Sequence, residues 1–328
     1  MSAPLLLVDG LQVLYRVTGG EAAAVDGISF AVERGETLAI VGESGCGKSA
    51  TALALLGLVP PLAGRVACRQ LLLDGEDLSR LRPRDWCRVR GKRIAMIFQE
   101  PMTSLNPVLT IGLQLTEAIR THEAVSERAA VARVLDTLAL VRIPEPRRYM
   151  RAYPHQLSGG MRQRVMIAMA IGCSPDLLVA DEPTTALDVT IQAQILDLLL
   201  DLQARLGMAM ILITHDLAVV GEVADRVLVM YAGRIVEEAP AAAVFETALH
   251  PYTRGLAASI PRLDRFLATG GRTERLAELA GIVPAIDARP PGCSFADRCP
   301  LVTDICRTER PEPMPFGPGR RAACWHAA

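Results

Sequence analysis

A glycine-rich octapeptide constrains what this chain can fold into more than any other stretch. It reads Gly42-Glu43-Ser44-Gly45-Cys46-Gly47-Lys48-Ser49 and fits the pattern G-x-x-x-x-G-K-[ST]. An apolar run at 37–41 precedes it and a small-residue stretch at 50–56 follows it, so the loop joins a predicted strand to a predicted helix. Glycines in such a loop let backbone N–H groups approach phosphate oxygens, and the helix adds its positive end. The sequence therefore predicts an α/β domain that binds phosphate groups; an ordinary glycine-rich turn is the alternative for the motif taken alone.

The side chains of this loop carry the predicted phosphate and metal chemistry. In loops of this kind, a lysine such as Lys48 reaches the β- and γ-phosphates and a serine such as Ser49 ligates Mg²⁺. The residues predicted to surround the nucleotide phosphates are Gly42, Ser44, Gly45, Cys46, Gly47, Lys48, Ser49 and Ala50. Because Cys46 lies inside this set, we expect the protein to be sensitive to alkylation. Residues 5–35 are predicted to form short strands and turns. Tyr15, in this β-rich stretch, is predicted to offer its ring to adenine, and a half-buried strand tyrosine is the alternative.

Three later apolar runs each lead into polar residues. Gln99 follows the run at 94–98, Asp181 and Glu182 end the run that begins at Leu177, and His215 follows the run at 210–213. Ligands of open α/β sheets bind at the carboxyl ends of the strands, so we expect these side chains near the phosphates. Asp181 suits the Mg²⁺ sphere and Glu182 suits polarising the attacking water. Taken alone, Gln99 could be a surface loop residue and His215 a structural histidine.

Helices are predicted between these strands. Ser158 is placed to cap a helix that runs through Met169. Gly159 and Gly160 expose backbone N–H groups at the positive end of this helix, which predicts a second anion-binding surface. The alternative is a capped helix start with no ligand. Helical periodicity also covers 112–142, interrupted by a polar stretch at 120–128, and a further helix is predicted at 189–206. A β-hairpin at 227–237 is predicted to close this domain near residue 240.

Composition narrows the class of protein. With 328 residues the chain is long enough for one large and one smaller domain, and a net charge of −1 argues against a general nucleic-acid binder. No apolar run approaches the roughly 18 residues that span a bilayer. The first residues carry no basic region ahead of their short apolar run, so no signal peptide is predicted. We therefore expect a cytosolic protein or one bound peripherally to a cytosolic membrane face.

The C-terminal tail is rich in cysteine, proline and glycine. Four of the eight cysteines follow the spacing Cys293-x5-Cys299-x6-Cys306-x17-Cys324. Four thiols in a loop-rich segment suggest a metal site that could stabilise a segment with little core of its own. The spacing matches neither common zinc knuckles nor ferredoxin runs, so Zn²⁺, an iron–sulfur cluster and four unligated thiols all stay open on this evidence.

Taken together, these motifs resemble the nucleotide-binding subunit of an ABC transporter over residues 5–240. The resemblance implies a P-loop NTPase fold with a mixed sheet core, a β-rich subdomain and a helical subdomain at about 100–170. It also implies that Lys48 holds the phosphates. Ser49 and Gln99 would contact Mg²⁺, and Asp181 would support the ion. Glu182 would be the general base, and His215 would sense the γ-phosphate. A further implication is that Ser158, Gly159 and Gly160 bind the nucleotide of an opposite subunit, so that two chains complete the sites.

A closer resemblance is to oligopeptide and dipeptide import ATPases. The segments that carry it are 98–107, 186–194, 250–254 and the tail from Pro290 to Cys324. The stretch Met230-Tyr231-Ala232-Gly233 indicates the first, D-type, of the two ATPases in such importers. Residues 241–328 are then that family's small irregular extension, and the resemblance implies a [4Fe-4S] cluster on Cys293, Cys299, Cys306 and Cys324.

The same resemblance implies the protein's partners and place in the cell. They are a second, related ATPase as heterodimer mate, two transmembrane permease subunits and a solute-binding protein, at the cytoplasmic face of the inner membrane, with no nucleic acid. The permease should dock in the groove between the Gln99 loop and the helical insert. An exporter ATPase and a soluble ABC ATPase are the alternatives, and peptide, nickel, heme and glutathione all stay open as cargo.

Overall fold

The computed structural model describes residues 3–99, 104–185, 187–260 and 279–327. The chain divides into two compact units, the first formed by 1–7, 31–37 and 71–213 and the second by 8–30, 38–70 and 214–328. The predicted division at residue 240 stays a prediction. Residues 100–103 and Ala186, which belong to two of the segments that carry the closer resemblance, lie outside the described residues.

Runs of strands and runs of helices follow one another along the described chain, and strands alternate with single helices over residues 177–231. The strands are β1 (Leu6–Val17), β2 (Gly20–Val32), β3 (Thr37–Val41), β4 (Gly64–Ala67), β5 (Gln70–Leu73), β6 (Glu76–Asp77), β7 (Ile94–Ile97), β8 (Leu177–Asp181), β9 (Ala209–Thr214), β10 (Arg226–Tyr231), β11 (Arg234–Pro240), β12 (Met314–Pro315) and β13 (Arg321–Ala322). The helices are α1 (Lys48–Leu55), α2 (Ile111–His122), α3 (Glu127–Leu140), α4 (Pro146–Tyr149), α5 (Gly159–Ile171), α6 (Val189–Leu206), α7 (Leu217–Val223), α8 (Ala241–Glu246), α9 (Pro251–Ala258) and α10 (Asp304–Thr308). No described helix combines the length and apolarity needed to cross a membrane.

The first unit contains a parallel ladder with helices around it. Its strands lie in the order β7-β8-β9, and every residue of β8 is buried. Continuous apolar strands of this kind are typical of parallel sheets covered on both faces. The helix predicted at 189–206 is confirmed as α6, which buries a stripe that includes Ile195, Leu198 and Leu202. Asp188 caps its start by accepting a hydrogen bond from Ile191 N, and Gly207 ends it in the left-handed conformation at φ 65°.

The second unit combines long antiparallel strands with a mixed sheet. β3 pairs in parallel with β10, which pairs antiparallel with β11, and β11 in turn pairs with β13. A core cluster packs against this sheet and includes Val229, Tyr231, Tyr252 and Phe295. Phe295 belongs to the predicted tail, so the extension contributes to the core of this unit.

The N-terminal strands are longer than the sequence predicts. Short strands and turns are expected over 5–35, whereas β1 has 12 residues and β2 has 13. Gly10 explains part of the difference, because it continues β1 at φ 61°, a conformation in which other residues are strained. Its N–H donates to Ser29 Oγ, so the bent strand stays bonded to β2.

Candidate active site

The phosphate-loop motif in the second unit folds as a loop between β3 and α1. Gly42 has φ 155°, and a Cβ there would lie 2.3 Å from the carbonyl oxygen of Met230. Gly47 has φ 107°, and its Cβ would lie 2.6 Å from the carbonyl oxygen of Ala24. Both positions therefore require glycine, and they bring the loop against its neighbouring strands. Gly45 faces open space at φ 81°, which leaves room for a ligand near its backbone.

Lys48 lies under this loop with its side chain almost fully buried. Its ammonium group donates to the carbonyl oxygen of Gly42 at 2.6 Å and to that of Glu43 at 3.0 Å. The ammonium charge at the start of α1 is thus held by carbonyl groups of the loop that precedes the helix. Ser44, Gly45 and Ser49 of the same loop are exposed. The arrangement of a buried cation beneath exposed backbone and hydroxyl groups suits an anionic ligand.

Cys46 points away from solvent in the same loop. Its side chain has no exposed surface, and burial raises the pKa of the thiol, with Lys48 acting in the opposite direction. Alkylating reagents attack the exposed thiolate. The expected sensitivity to alkylation at Cys46 is therefore wrong for this conformation.

Two residues far along the chain hold the loop, and the sequence alone predicts a role for neither of them. The hydroxyl of Tyr252 accepts a hydrogen bond from Glu43 N at 2.9 Å. Arg298 forms a two-pronged ion pair with the Glu43 carboxylate, at 2.6 and 2.9 Å. In the sequence, Tyr252 lies in the segment 250–254, which carries the closer resemblance, and Arg298 directly precedes Cys299 of the tail. These positions are the sequence signals that point to the two residues.

The other predicted site residues of the second unit are Tyr15 and His215. Tyr15 lies on β1 opposite Gly64 of β4, and it is partly exposed. Burial of its ring raises the pKa of the Tyr15 hydroxyl. His215 is exposed directly after β9, between the strand and the Asp216 cap of α7. The adenine and γ-phosphate roles of these two residues stay predictions.

The first unit brings Gln99 and Glu182 together. Asp181 is the last residue of β8 and is buried, whereas Glu182 turns out of the strand at φ 48°. Oε2 of Glu182 accepts one hydrogen bond from Gln99 Nε2 and one from Thr185 Oγ1, both at 2.9 Å. The carboxylate is thus oriented by two neutral donors, and Thr185 is a contact that the sequence did not predict. A carboxylate held in this way can accept a proton from water.

The predicted anion-binding helix start lies in the same unit. Ser158 caps α5, its hydroxyl accepting a hydrogen bond from Met161 N at 3.4 Å, as predicted. Ser158 and Gly159 are exposed, and a Cβ at Gly160 would lie 3.1 Å from Ile191 Cγ2. One turn on, the buried Gln163 donates to the carbonyl oxygen of Pro183. This bond ties the start of α5 to the turn after Glu182.

The tail cysteines lie near one another without forming a ligand set. Burial raises the pKa of the Cys293 thiol to about 11, and the charges of Cys306, Cys324 and Cys299 act in the same direction. Yet among the residues that the structure describes, which include all four, no group of three or more His, Cys, Asp or Glu side chains is arranged to hold a metal ion. Charged groups influence one another well beyond coordination distance, so the mutual effect of the four thiols does not require that they share a metal. The predicted cluster is therefore not supported by the arrangement.

Comparison with known proteins identifies the family. The model for ABC transporters matches residues 25–185, and that for the oligopeptide/dipeptide transporter C-terminal region matches residues 236–306. The chain is 49% identical to the dipeptide transport ATP-binding protein DppD of Escherichia coli, with 98% of this chain and 96% of that protein covered. It is 48% identical to the oligopeptide transport ATP-binding protein AppD of Bacillus subtilis, with the same coverage of 98% and 96%. 

Solved structures agree at the level of the fold. The dimeric post-hydrolysis structure of the ATP-binding cassette MJ0796, bound to ADP and Pi, is similar with a TM-score of 0.63 at 27% identity, over 72% of this chain and 98% of that one. The fold and these matches define an ATP-binding cassette, an ATPase coupled to transport. The chain belongs to the ABC transporter family, in its oligopeptide/dipeptide branch of ATP-binding subunits.

Proposed function

We propose that this chain is the D-type ATP-binding subunit of an importer for peptides or similar small solutes. The observation that carries the proposal is similarity at 48–49% identity over 98% of the chain to ATP-binding proteins named for oligopeptide and dipeptide transport. The match includes the C-terminal region as well as the cassette. ATP binding would close the cassette against its mate and hydrolysis would reopen it, so that a separate membrane channel alternates between two states.

Each residue of the proposed site has its own role in ATP hydrolysis. Lys48 and the loop amides hold the phosphates, supported by the open space beside Gly45 and by the exposed Ser44 and Ser49. Glu182 accepts a proton from the attacking water, supported by the two hydrogen bonds that orient its carboxylate. His215 senses the γ-phosphate and Tyr15 stacks on adenine. Positioning and charge compensation of this kind supply most of the catalysis in phosphoryl transfer.

Oxygen-donating side chains suit the Mg²⁺ ion that accompanies ATP. Ser49, Gln99 and Asp181 offer a hydroxyl, an amide and a carboxylate, which are ligands that Mg²⁺ prefers. When bound, the ion neutralises charge on the phosphate oxygens. In the structure Gln99 already directs its amide nitrogen to Glu182, which leaves the amide oxygen as the atom for the metal.

The proposed partners are a second, related ATPase, two transmembrane permease subunits and a solute-binding protein. The mate is expected to present its phosphate loop to Ser158, Gly159 and Gly160. Exposed apolar side chains in the first unit support a docking surface for a permease, because Phe98, Val108 and Leu113 are 41%, 75% and 52% exposed. The complex would lie at the cytoplasmic face of the inner membrane with this chain bound peripherally.

The tail remains the proposed metal site, with a [4Fe-4S] cluster preferred and Zn²⁺ as alternative. Two contacts support sulfur ligation: Leu301 N donates to Cys299 Sγ at 3.4 Å and His326 N donates to Cys324 Sγ at 3.3 Å. Hydrogen bonds to sulfur of this kind are the levers by which proteins tune iron–sulfur clusters. The thiols would have to move closer together to share a metal, since no ligand set exists among the described residues.

Uptake into vesicles tests the proposed function. The chain is expressed with the permease and ATPase genes beside it, purified in detergent as a complex and reconstituted with its solute-binding protein and labelled di- and oligopeptides. We expect peptide accumulation that needs MgATP and disappears with Glu182→Gln. Movement of label in the opposite direction, or uptake of nickel, heme or glutathione instead of peptide, would overturn the peptide importer.

A further inference from the structure

Glu43, the second residue of the phosphate-loop motif, is held at three points. Its backbone N–H donates to the Tyr252 hydroxyl at 2.9 Å, and its carbonyl oxygen accepts from Lys48 Nζ at 3.0 Å. Its carboxylate accepts from both terminal nitrogens of Arg298. Two of the three contacts therefore come from residues beyond the β10–β11 hairpin. The third comes from the lysine that is predicted to bind the phosphates.

Arg298 is itself fixed firmly in place. Its side chain is only 5% exposed, and its guanidinium lies 5.7 Å from the centre of the Tyr231 ring and 5.8 Å from that of Phe295. It also donates to the backbone carbonyl oxygens of Leu279 and Ala280. The hydrogen bonds to Glu43 raise the pKa of Arg298 further, so the guanidinium stays charged.

Tyr252 is equally restrained, and it packs against the same two rings as Arg298. It is fully buried, and its ring packs edge-on against Tyr231 at 4.7 Å and lies 5.4 Å from Phe295. A hydroxyl carried by a ring in such a cluster has little freedom to follow a moving partner. The bond from Glu43 N therefore ties the loop to a rigid part of the unit.

We infer that Arg298 and Tyr252 are positioning residues that hold the phosphate loop in its ATP-binding conformation. The physical reason is preorganisation: amides that already point at the phosphates need no ordering when the ligand binds. Release of Glu43 would also free the carbonyl oxygen that helps to position Lys48. The C-terminal region would thus contribute to ATP affinity without touching ATP.

The energetics single out this pair among the ion pairs of the tail. Arg307 and Asp297 also pair, at 3.2 Å, but their side chains are 55% and 83% exposed. Exposed pairs contribute about 0–1 kcal/mol, whereas bidentate pairs are stronger, and in the Arg298–Glu43 pair the two side chains are only 5% and 31% exposed. Arg307→Gln is therefore a matched control, because it removes the same charge from the same region without reaching the loop.

The test measures MgATP binding to the full chain by titration calorimetry. For Arg298→Gln we expect the dissociation constant to rise by about 5- to 10-fold, a typical coupling between sites, with Arg307→Gln at the parental value. In the assembled transporter, kcat at saturating MgATP should stay near that of the parent, because the hydrolytic groups are intact. A merely structural role would instead lower the folded fraction and kcat and leave the dissociation constant unchanged, and that result would overturn the inference.

Two further variants separate the contacts and protect against misfolding. Glu43→Gln combined with Arg298→Gln should bind MgATP no more weakly than Arg298→Gln alone, because both changes break one pair. If the two substitutions weakened MgATP binding additively, Glu43 and Arg298 would not act through one ion pair. Tyr252→Phe keeps the buried ring and removes only its hydroxyl, so it tests the second contact even if Arg298→Gln does not fold. Parental affinity in Tyr252→Phe would remove Tyr252 from the inference.

Discussion

Glu182 occupies a left-handed backbone conformation immediately after a buried strand. Its φ of 48° is uncommon for a residue with a Cβ and costs about 1–2 kcal/mol. Its own N–H donates to the carbonyl oxygen of Ile213 at 2.9 Å, so the turn is fixed to the neighbouring strand β9. Strain held in this way is typical of functional positions. Here it accompanies the pairing of the Glu182 carboxylate with Gln99 and Thr185.

Replacing Glu182 by glutamine tests its role as the base. Glu182→Gln keeps the size of the side chain but cannot take a proton from water, so turnover should fall by at least about 100-fold. MgATP affinity should stay near the parental value, because the phosphate loop is untouched. Steady-state phosphate release by the assembled transporter and MgATP titration measure the two quantities.

A surface glutamate provides the control for this change. Glu145 pairs with Arg148 on an exposed helix start, and its side chain is 66% exposed. Glu145→Gln should therefore leave turnover unchanged. If Glu182→Gln retained turnover within a few-fold of the parent, the base would have to be another group.

At the scale of single residues, the sequence predicts candidate functional residues better than it predicts their hydrogen-bond partners. Gln99 and Glu182 were both predicted from strand ends, but their hydrogen bond joins residues 83 positions apart. The contacts of Glu43 with Tyr252 and Arg298 join residues 209 and 255 positions apart. No local pattern encodes such pairs, because only the folded chain brings them into contact. The loop motif, by contrast, is local in sequence, and its predicted place between a strand and a helix is confirmed by β3 and α1.

At the scale of elements, the predicted helices and parallel strands are confirmed where hydrophobic periodicity is strong. α6 begins and ends at the residues that its periodicity predicts, where Asp188 caps its start and Gly207 ends it in the left-handed conformation. The lengths of β1 and β2 were not predicted. Their glycines resemble turn signals in sequence, yet pairing with neighbouring strands carries the chain through them.

The start of α9 combines a buried acid with a buried histidine. Glu237, on β11, accepts hydrogen bonds from Leu249 N and His250 N, both at 2.8 Å. His250 then caps α9, its Nδ1 accepting from Tyr252 N at 3.1 Å. The capping nitrogen must be unprotonated to accept that bond. Burial, and to a lesser degree Arg254, lowers the pKa of His250 from 6.5 to about 3.

This lowered pKa predicts acid sensitivity of the fold. Between pH 6.5 and about 3 the unfolded chain binds a proton at His250 that the folded chain does not. The stability that unprotonated His250 contributes to the fold is therefore fully present above pH 6.5. As pH falls from 6.5 towards 3, the free energy of unfolding decreases by about 1.4 kcal/mol per pH unit. His250→Asn can still cap α9 and does not titrate, so its free energy of unfolding should fall less steeply between pH 7 and pH 5.

Denaturant titrations at several pH values make the comparison. The measured quantity is the difference in slope between parent and His250→Asn, since carboxylates elsewhere act on both. His155→Asn, which changes an exposed ring in the first unit, is the control and should keep the parental slope. Parallel curves for the parent and His250→Asn would show that His250 is not the acid-sensitive group.

At the scale of the whole molecule, the C-terminal region is part of the second unit and is not a detached tail. Phe295 joins the same core cluster as Val229 and Tyr252, and β13 pairs with β11. The sequence predicted the extension but assigned its stability to a metal. The structure adds that packing and the ion pair of Arg298 with Glu43 already fix part of it. Any metal would therefore strengthen a segment that has contacts of its own.

The metal content of the tail follows as the last prediction. Protein purified without oxygen should be brown and carry about four irons per chain, as Cys₄ clusters of this type do. Cys299→Ser should lose the colour and the iron and lower the unfolding temperature, because ligand binding stabilises the folded state. Cys87→Ser removes an exposed thiol outside the tail and should keep both. Colourless protein with one zinc would exclude the cluster and keep the site, whereas metal-free protein with an unchanged unfolding temperature would leave packing and the Arg298 pair as the whole basis of the tail's order.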